Sequence, residues 1–163
     1  MQRIFYIITV ALLALSAPLR ADQIPELENL PADLATMQER QVPMLVFFHA
    51  SYCHYCHEVE SSFLEPLSRN SEYAKRTLFR RVGLDTGRTL IDEAGEQVRD
   101  RAFAETFGIR LAPTLVFLGP EGEQLGRAVV GVANYDLYGG QIDRALRTAE
   151  SCIEDPMLPE CQP

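Results

Sequence analysis

Cys53-His54-Tyr55-Cys56, set between an apolar run and a helix-patterned one, limits what this chain can fold into more than any other feature. Met44-Leu45-Val46-Phe47-Phe48 is continuous and Phe-rich, bounded by Pro43 on one side and by His49 and Ser51 on the other. That is the pattern of a strand buried on both faces. Past the cysteines, Cys56, Val59, Phe63 and Leu67 recur at helical spacing, while Glu58, Glu60 and Ser61 take the other side. Cys53 therefore falls on a strand-to-helix turn, where free N–H groups and the helix dipole favour an anion. For a cysteine in that setting the anion is the thiolate, with a pKa lowered from about 8.5 to roughly 3.5–7.5. Cys56, one turn on, can close a small disulfide loop with it. The expected chemistry is a redox switch.

Three other chemistries use part of this motif. Cys-x-x-Cys-His, completed by His57, is the attachment signature of c-type haem. A buried strand running straight into the motif, and a strand–turn–strand pattern in the distal half, argue against a helical haem cage. A zinc site needs four ligands; His54 or His57 could join the cysteines, but no second Cys/His pair at ligand spacing follows. An inert structural disulfide across so short a loop would constrain little chain entropy. The dithiol reading is the strongest, and it needs no metal and no organic cofactor.

Residues 1–21 read as a targeting segment: Arg3, then Ile4 to Leu15 interrupted only by Thr9, then the small-residue stretch Ala17 to Ala21. Cleavage is expected after Ala21, although Leu19 and Arg20 leave an uncleaved anchor as the alternative. The apolar core is short for a bilayer span, which favours cleavage, and no cysteine follows it to carry a lipid. The mature protein is thus expected outside the cytoplasm, where disulfides persist. The chain carries 23 acidic against 15 basic residues, and two of the basic ones, Arg3 and Arg20, fall in the leader. So acidic a balance makes nucleic acid an unsuitable partner.

The remaining pattern predicts one domain. Residues 22–30 form an extended lead-in, and residues 31–150 the folded unit. A Cys- and Pro-containing tail covers 151–163. Within the unit, a helix spans Pro31 to Arg40 with Leu34 and Met37 inward. Pro66 is expected to kink or end the helix after Cys53. A short helix follows at Ser71–Arg76, then a strand at Thr77–Asp85 with Leu78, Val82 and Leu84 on one face. Thr86 to Val98 reads as a hairpin-like excursion. Asp100 caps a helix to Phe107, with Ala102, Phe103 and Phe107 as its packing face and Gly108 as its stop. Thr114–Leu118 and Leu125–Val130 are strands joined by the Gly119-Pro120-Glu121-Gly122 turn. Asn134 caps a last helix through Thr148, with Leu137, Ile142, Ala145 and Leu146 apolar. The expected architecture is α/β, a mixed central sheet of four to five strands with helices on both faces.

With these residues on the page, the chain resembles the thioredoxin superfamily, and within it the secreted bacterial, SoxW-like branch. The resemblance is carried by Phe47-Phe48-His49-Ala50-Ser51-Tyr52-Cys53-His54-Tyr55-Cys56, by Val82-Gly83-Leu84-Asp85, by Phe107-Gly108-Ile109 and by Ala112-Pro113-Thr114. Phe117, Gly122 and Gly131 continue it, so that it covers roughly residues 31–148. It implies Cys53 as the attacking thiolate, Cys56 as the resolving thiol and Pro113 as a cis-proline across from the pair. Tyr52, His54, Tyr55 and Ala112 would then meet an extended client segment added as a short strand beside the site. It also implies a monomer that serves disulfide-containing client proteins in the periplasm and is recharged by a membrane thiol-redox donor. A redox-inert binding module on the same fold is the competing expectation.

Several positions depart from the family pattern. Phe47 stands where cytoplasmic thioredoxins hold a buried aspartate, which removes the usual proton acceptor for the resolving thiol. Tyr52 replaces the tryptophan before the first cysteine, and His54-Tyr55 between the cysteines leaves the redox direction open. His49, His54 and His57 could each favour the thiolate if protonated, but His49 reads first as a satisfied strand-end histidine and His57 equally as a solvated helix residue. Arg81 stands near the family's lysine or is a solvated strand charge. Cys152 and Cys161, with eight residues between them, are expected to form a structural disulfide. A second exchangeable pair and a link to another chain are the alternatives.

Overall fold

The computed structural model describes residues 23–163. The leader and its cleavage after Ala21 lie outside the described residues. Among the described residues no helix is long and apolar enough to cross a membrane.

Strand β1 (Met44–His49) is the centre of the molecule. Side chains alternate across a strand, so Leu45 and Phe47 enter one core cluster while Met44, Val46 and Phe48 enter the other. Burying each such side chain fully is worth about 1.5–3 kcal/mol, which is why this run sits inside. β1 pairs in parallel with β2 (Leu78–Gly83) and antiparallel with β5 (Thr114–Leu118). β5 pairs antiparallel with β6 (Val129–Val130), giving a mixed four-stranded sheet in the order β2-β1-β5-β6. On one face lie α1 (Leu30–Arg40), through Leu30, Leu34 and Met37, and α5 (Asp100–Thr106), through Phe103 and Ala104. On the other lie α2 (His54–Val59), through Cys56 and Val59, and α6 (Tyr138–Glu154), through Tyr138, Ile142, Leu146 and Ala149. The fold is thioredoxin-like α/β, with helices on both faces of a mixed sheet.

The lead-in is bonded to the edge of the sheet. The Arg81 N–H donates to the Pro25 carbonyl at 2.9 Å and the Leu27 N–H to the Arg81 carbonyl at 3.0 Å, so residues 25–27 lie along β2 at Arg81, and the Ile91 N–H donates to the Glu28 carbonyl farther on. Asn29 then caps α1, its Oδ1 accepting from the Ala32 N–H at 3.0 Å. The excursion after β2 is a true hairpin, β3 (Thr89–Ile91) against β4 (Gln97–Arg99). The short helix Ser71–Arg76 (α4) follows the helix Glu65–Arg69 (α3).

Five expectations need correction, each for a local physical reason. Pro66 neither ends nor interrupts the helix after Cys53: α2 widens into a π-turn over Glu60–Leu64 and continues as α3 (Glu65–Arg69). The Glu65 N–H reaches back five residues to the Glu60 carbonyl, and the wider turn gives the proline ring the room an α-turn denies it. That extra residue rotates the buried face, so Leu64 is fully buried and Phe63 only partly. Asp100 is the first residue of α5 and no external cap; its carboxylate turns inward and accepts from the Thr86 hydroxyl at 3.1 Å. Ala104 rather than Ala102 faces the core there. The strand expected over Leu125–Val130 breaks at Gly126, whose φ of 69° only glycine adopts readily, leaving the Leu125–Phe117 hydrogen bond before the break and β6 after it. The last helix starts at Tyr138, because Asn134 closes a turn on the Leu137 N–H instead of capping the helix, and Leu137 is left exposed.

α6 also runs beyond Thr148 into the tail, to Glu154. It carries Cys152 to its disulfide with Cys161, which lies in a 3-10 turn over Pro159–Cys161. Both cysteines are buried, and the Cys161 carbonyl accepts from the Gly126 N–H at 3.0 Å. The tail is thereby fastened to the turn between β5 and β6.

Candidate active site

The buried strand β1 ends at His49 and the chain turns through Ala50-Ser51-Tyr52 before α2 begins. An acidic side chain from the next strand's exit holds this turn. Asp85 accepts from the Ser51 N–H at 2.9 Å and from the Ser51 hydroxyl at 2.5 Å. Those hydrogen bonds hold the Asp85 carboxyl below the usual carboxylate range. The sequence marks Asp85 only as the end of the Val82-Gly83-Leu84-Asp85 stretch. Its contact with Ser51 spans 34 positions, a separation to which local periodicity is blind.

Cys53 is the residue that caps α2. Its Sγ accepts from the Cys56 N–H at 3.1 Å, and its carbonyl accepts from the Cys56 and His57 N–H groups. The sulfur thus lies against the Cys56 amide in the first turn of the helix, a place that favours a thiolate. Cys53 is half-buried and Cys56 is 3% exposed, the two joined in a disulfide with Cα atoms 5.2 Å apart. Cys53 borders the core cluster to which Cys56, Phe47, Val59 and Leu115 belong, so one cysteine is partly exposed and the other is inside.

Around this pair the structure gathers the remaining candidates. Tyr52 is 85% and Tyr55 58% exposed, and His54 and His57 are exposed on the first turn of α2. Ala112 borders the same core cluster as Cys53, and the Ala112–Pro113 peptide bond is cis. The Pro113 carbonyl accepts from the Gly131 N–H at 2.8 Å, which ties the start of β5 to the end of β6. Three further apolar residues are exposed: Leu111 next to Ala112 in the chain, Val130 on β6, and Tyr135, whose ring meets Phe63 and whose hydroxyl donates to Glu58 at 3.4 Å. Spacing alone gives none of the three as exposed; Val130 is brought to Thr114 by the β5–β6 pairing, and Tyr135 to the helix of Cys56 by its contacts with Phe63 and Glu58.

Beneath the pair is a charged layer. Arg81 is largely buried and not solvated; it bridges Glu26 and Glu60, each at 2.9 Å. His49 is not satisfied: its Nε2 is buried and has no hydrogen-bond partner among the described residues. Burial first, and then the Arg81 guanidinium, push the His49 pKa below its ordinary 6.5. A folded-state value below the unfolded one means that the neutral ring favours folding. This contribution is in place above pH 6.5 and is lost as pH falls through the lower folded value. Melting temperatures are therefore expected to fall more steeply below that pH in the native protein than in His49→Gln, and parallel curves would remove the assignment. Among the described residues no group of three or more His, Cys, Asp or Glu side chains is arranged to hold a metal ion.

The thioredoxin-like domain model matches residues 30–142. Among solved structures, the thioredoxin of Fasciola hepatica is 20% identical, with 74% of this chain and 98% of that one aligned at a TM-score of 0.51. The oxidised form of mitochondrial thioredoxin 3 from Saccharomyces cerevisiae is 19% identical over 76% of this chain and 93% of that one, again at 0.51. A thioredoxin from Thermus thermophilus is 21% identical over 80% of this chain and 89% of that one, at 0.50. No curated protein sequence matches. At these identities the structural likeness speaks for the fold alone. The domain match, however, runs unbroken through β1, the cysteine turn and the Pro113 strand start, and the chain belongs to the thioredoxin-like domain family.

Proposed function

We propose that this protein is an extracytoplasmic thiol–disulfide oxidoreductase of the secreted, SoxW-like kind, working in the periplasm to reduce disulfides of client proteins. The observation that carries the reading is the position of the Cys53 sulfur: half-buried, at the mouth of α2, accepting the Cys56 N–H. In the reduced protein the Cys53 thiolate attacks a client disulfide and forms a mixed disulfide, releasing one client sulfur as a thiolate. Cys56 then attacks Cys53, the client leaves with its second sulfur reduced, and the Cys53–Cys56 bond is restored. Tyr52, His54, Tyr55 and Ala112 would contact the client, with Pro113 fixing the strand beside it. A membrane thiol-redox donor would return the two electrons.

The Cys152–Cys161 bond serves a structural role in this scheme, since both sulfurs are buried and remote in sequence from the exchanging pair. Reduction of insulin by the purified protein with a dithiol reductant as electron source tests the activity. Precipitation of the insulin B chain no faster than with the reductant alone would support a binding module that keeps only the fold.

A further inference from the structure

A dithiol that closes on itself must shed the proton of its second sulfur as the ring forms. Cys56 carries that proton in a buried place, where burial alone makes a thiol reluctant to ionise. The side chains of β1 that share its cluster are Leu45 and Phe47, hydrocarbons that can accept nothing. Two positions beyond Phe47, on the same face of β1, stands His49, its ring centroid 5.6 Å from that of Phe47 and inclined to it by 27°. Its Nε2 is buried and without a partner among the described residues.

Charged groups face this imidazole from every neighbouring element: Arg81 from β2, Glu60 from the π-turn that continues α2, Asp85 from the loop after β2, and Asp100 from α5. Glu60 stands one turn beyond Cys56 on the same helix, its N–H donating to the Cys56 carbonyl. Its carboxylate is held by Arg81, which Glu26 holds from the other side. Glu60 thus links the helix of the buried thiol to the strand layer in which the imidazole lies. Burial first, and then Arg81, outweigh the three carboxylates and hold the His49 pKa below its ordinary value, so that the neutral ring, with a lone pair free to accept, is favoured.

We infer that His49 is the proton acceptor for Cys56 in the ring-closing step, and that Glu60 and Arg81 are positioning residues for it. The inference rests on the dithiol exchange proposed above. In the step, Nε2 takes the proton from the Cys56 thiol, directly or through one water. The Cys56 sulfur attacks Cys53, the Cys53–Cys56 bond forms, and the bond from Cys53 to the client sulfur breaks. The electron pair leaves with the client sulfur, which is protonated by solvent, and the imidazolium gives its proton back to solvent. A dithiol reductant then supplies the two electrons and two protons that regenerate the thiols.

The test uses the full chain, reduced and mixed in stopped flow with less than one equivalent of an aromatic disulfide, 5,5′-dithiobis(2-nitrobenzoate). Attack by Cys53 releases the first coloured thiolate and ring closure by Cys56 the second. In the native protein the second phase is expected to be flat between about pH 7 and 8, because a neutral base is already in place. In His49→Gln it is expected to be about 100-fold slower at pH 7 and to climb roughly tenfold per pH unit, with the first phase little changed. Glu60→Gln is expected to slow the second phase less and to shift its acid limb. A native second phase that itself climbs tenfold per pH unit overturns the inference, and this measurement needs no variant to fold. So does a His49→Gln protein with both phases unaltered. Release of no first equivalent by the reduced native protein would instead remove the dithiol exchange on which the inference rests.

Discussion

Cys53→Ser is expected to leave a folded protein with no disulfide reduction above the background of the reductant, a loss on the order of 10⁴-fold or greater. A serine hydroxyl at the α2 cap still accepts the Cys56 N–H, so the helix start survives. The nucleophile does not survive, because an alkoxide is inaccessible at neutral pH and Cys56 is too buried to replace it. Cys56→Ser should behave differently. It keeps the outward sulfur and its amide environment, performs the first exchange once, and stops. The client then stays attached through Cys53, and mass spectrometry of protein recovered from cells or from an insulin reaction should show the adduct at one client chain per protein. A Cys53→Ser protein that reduces insulin within tenfold of the native rate, or a Cys56→Ser protein that yields no adduct, would end the proposed mechanism.

Phe47→Ala is expected to cost about 3–5 kcal/mol of stability, and with it roughly 10 °C of melting temperature. The residue has no exposed surface, lies on the central strand opposite Arg81 and Leu115, and packs in the cluster that holds Cys56 and Val59. The backbone of β1 is paired on both sides, so the sheet cannot close over the missing ring. The ring also floors the space beside His49, and its removal should admit water and slow ring closure as well as unfold the protein sooner. Urea unfolding followed by far-ultraviolet circular dichroism measures the first effect. A change below 1 kcal/mol would mean that the strand is not the core its burial implies.

The parts of this fold that were legible in the sequence are those governed by near neighbours. Met44 to Phe48, a short apolar run without alternation, forms a strand buried on both faces. The placing of Cys53 at a strand-to-helix turn followed from the change of period at that point, and Gly119–Gly122 announced its own turn. What stayed hidden depends on contacts between distant positions. The π-turn at Glu60–Leu64 is invisible because its periodicity differs from that of an α-helix by a single residue. Its carboxylate partner Arg81 lies 21 positions away, and Glu26 lies 55 positions from that arginine. Leu137 reads as core by spacing but lies outside, because the turn at Asn134 delays the helix. His49 was the hardest to read. A histidine at a strand end is ordinarily satisfied, and only the packed structure leaves its inner nitrogen idle.

The lead-in along β2 has a consequence for traffic. With residues 25–27 bonded along β2 at Arg81, the margin that stays open among the described residues to a client strand, in the exchange proposed above, is that of β6. That berth adjoins Pro113 through Gly131. Under the proposed exchange, a guest strand seated there meets the start of β5, so the chain's own lead-in steers clients toward the cis-proline end of the sheet.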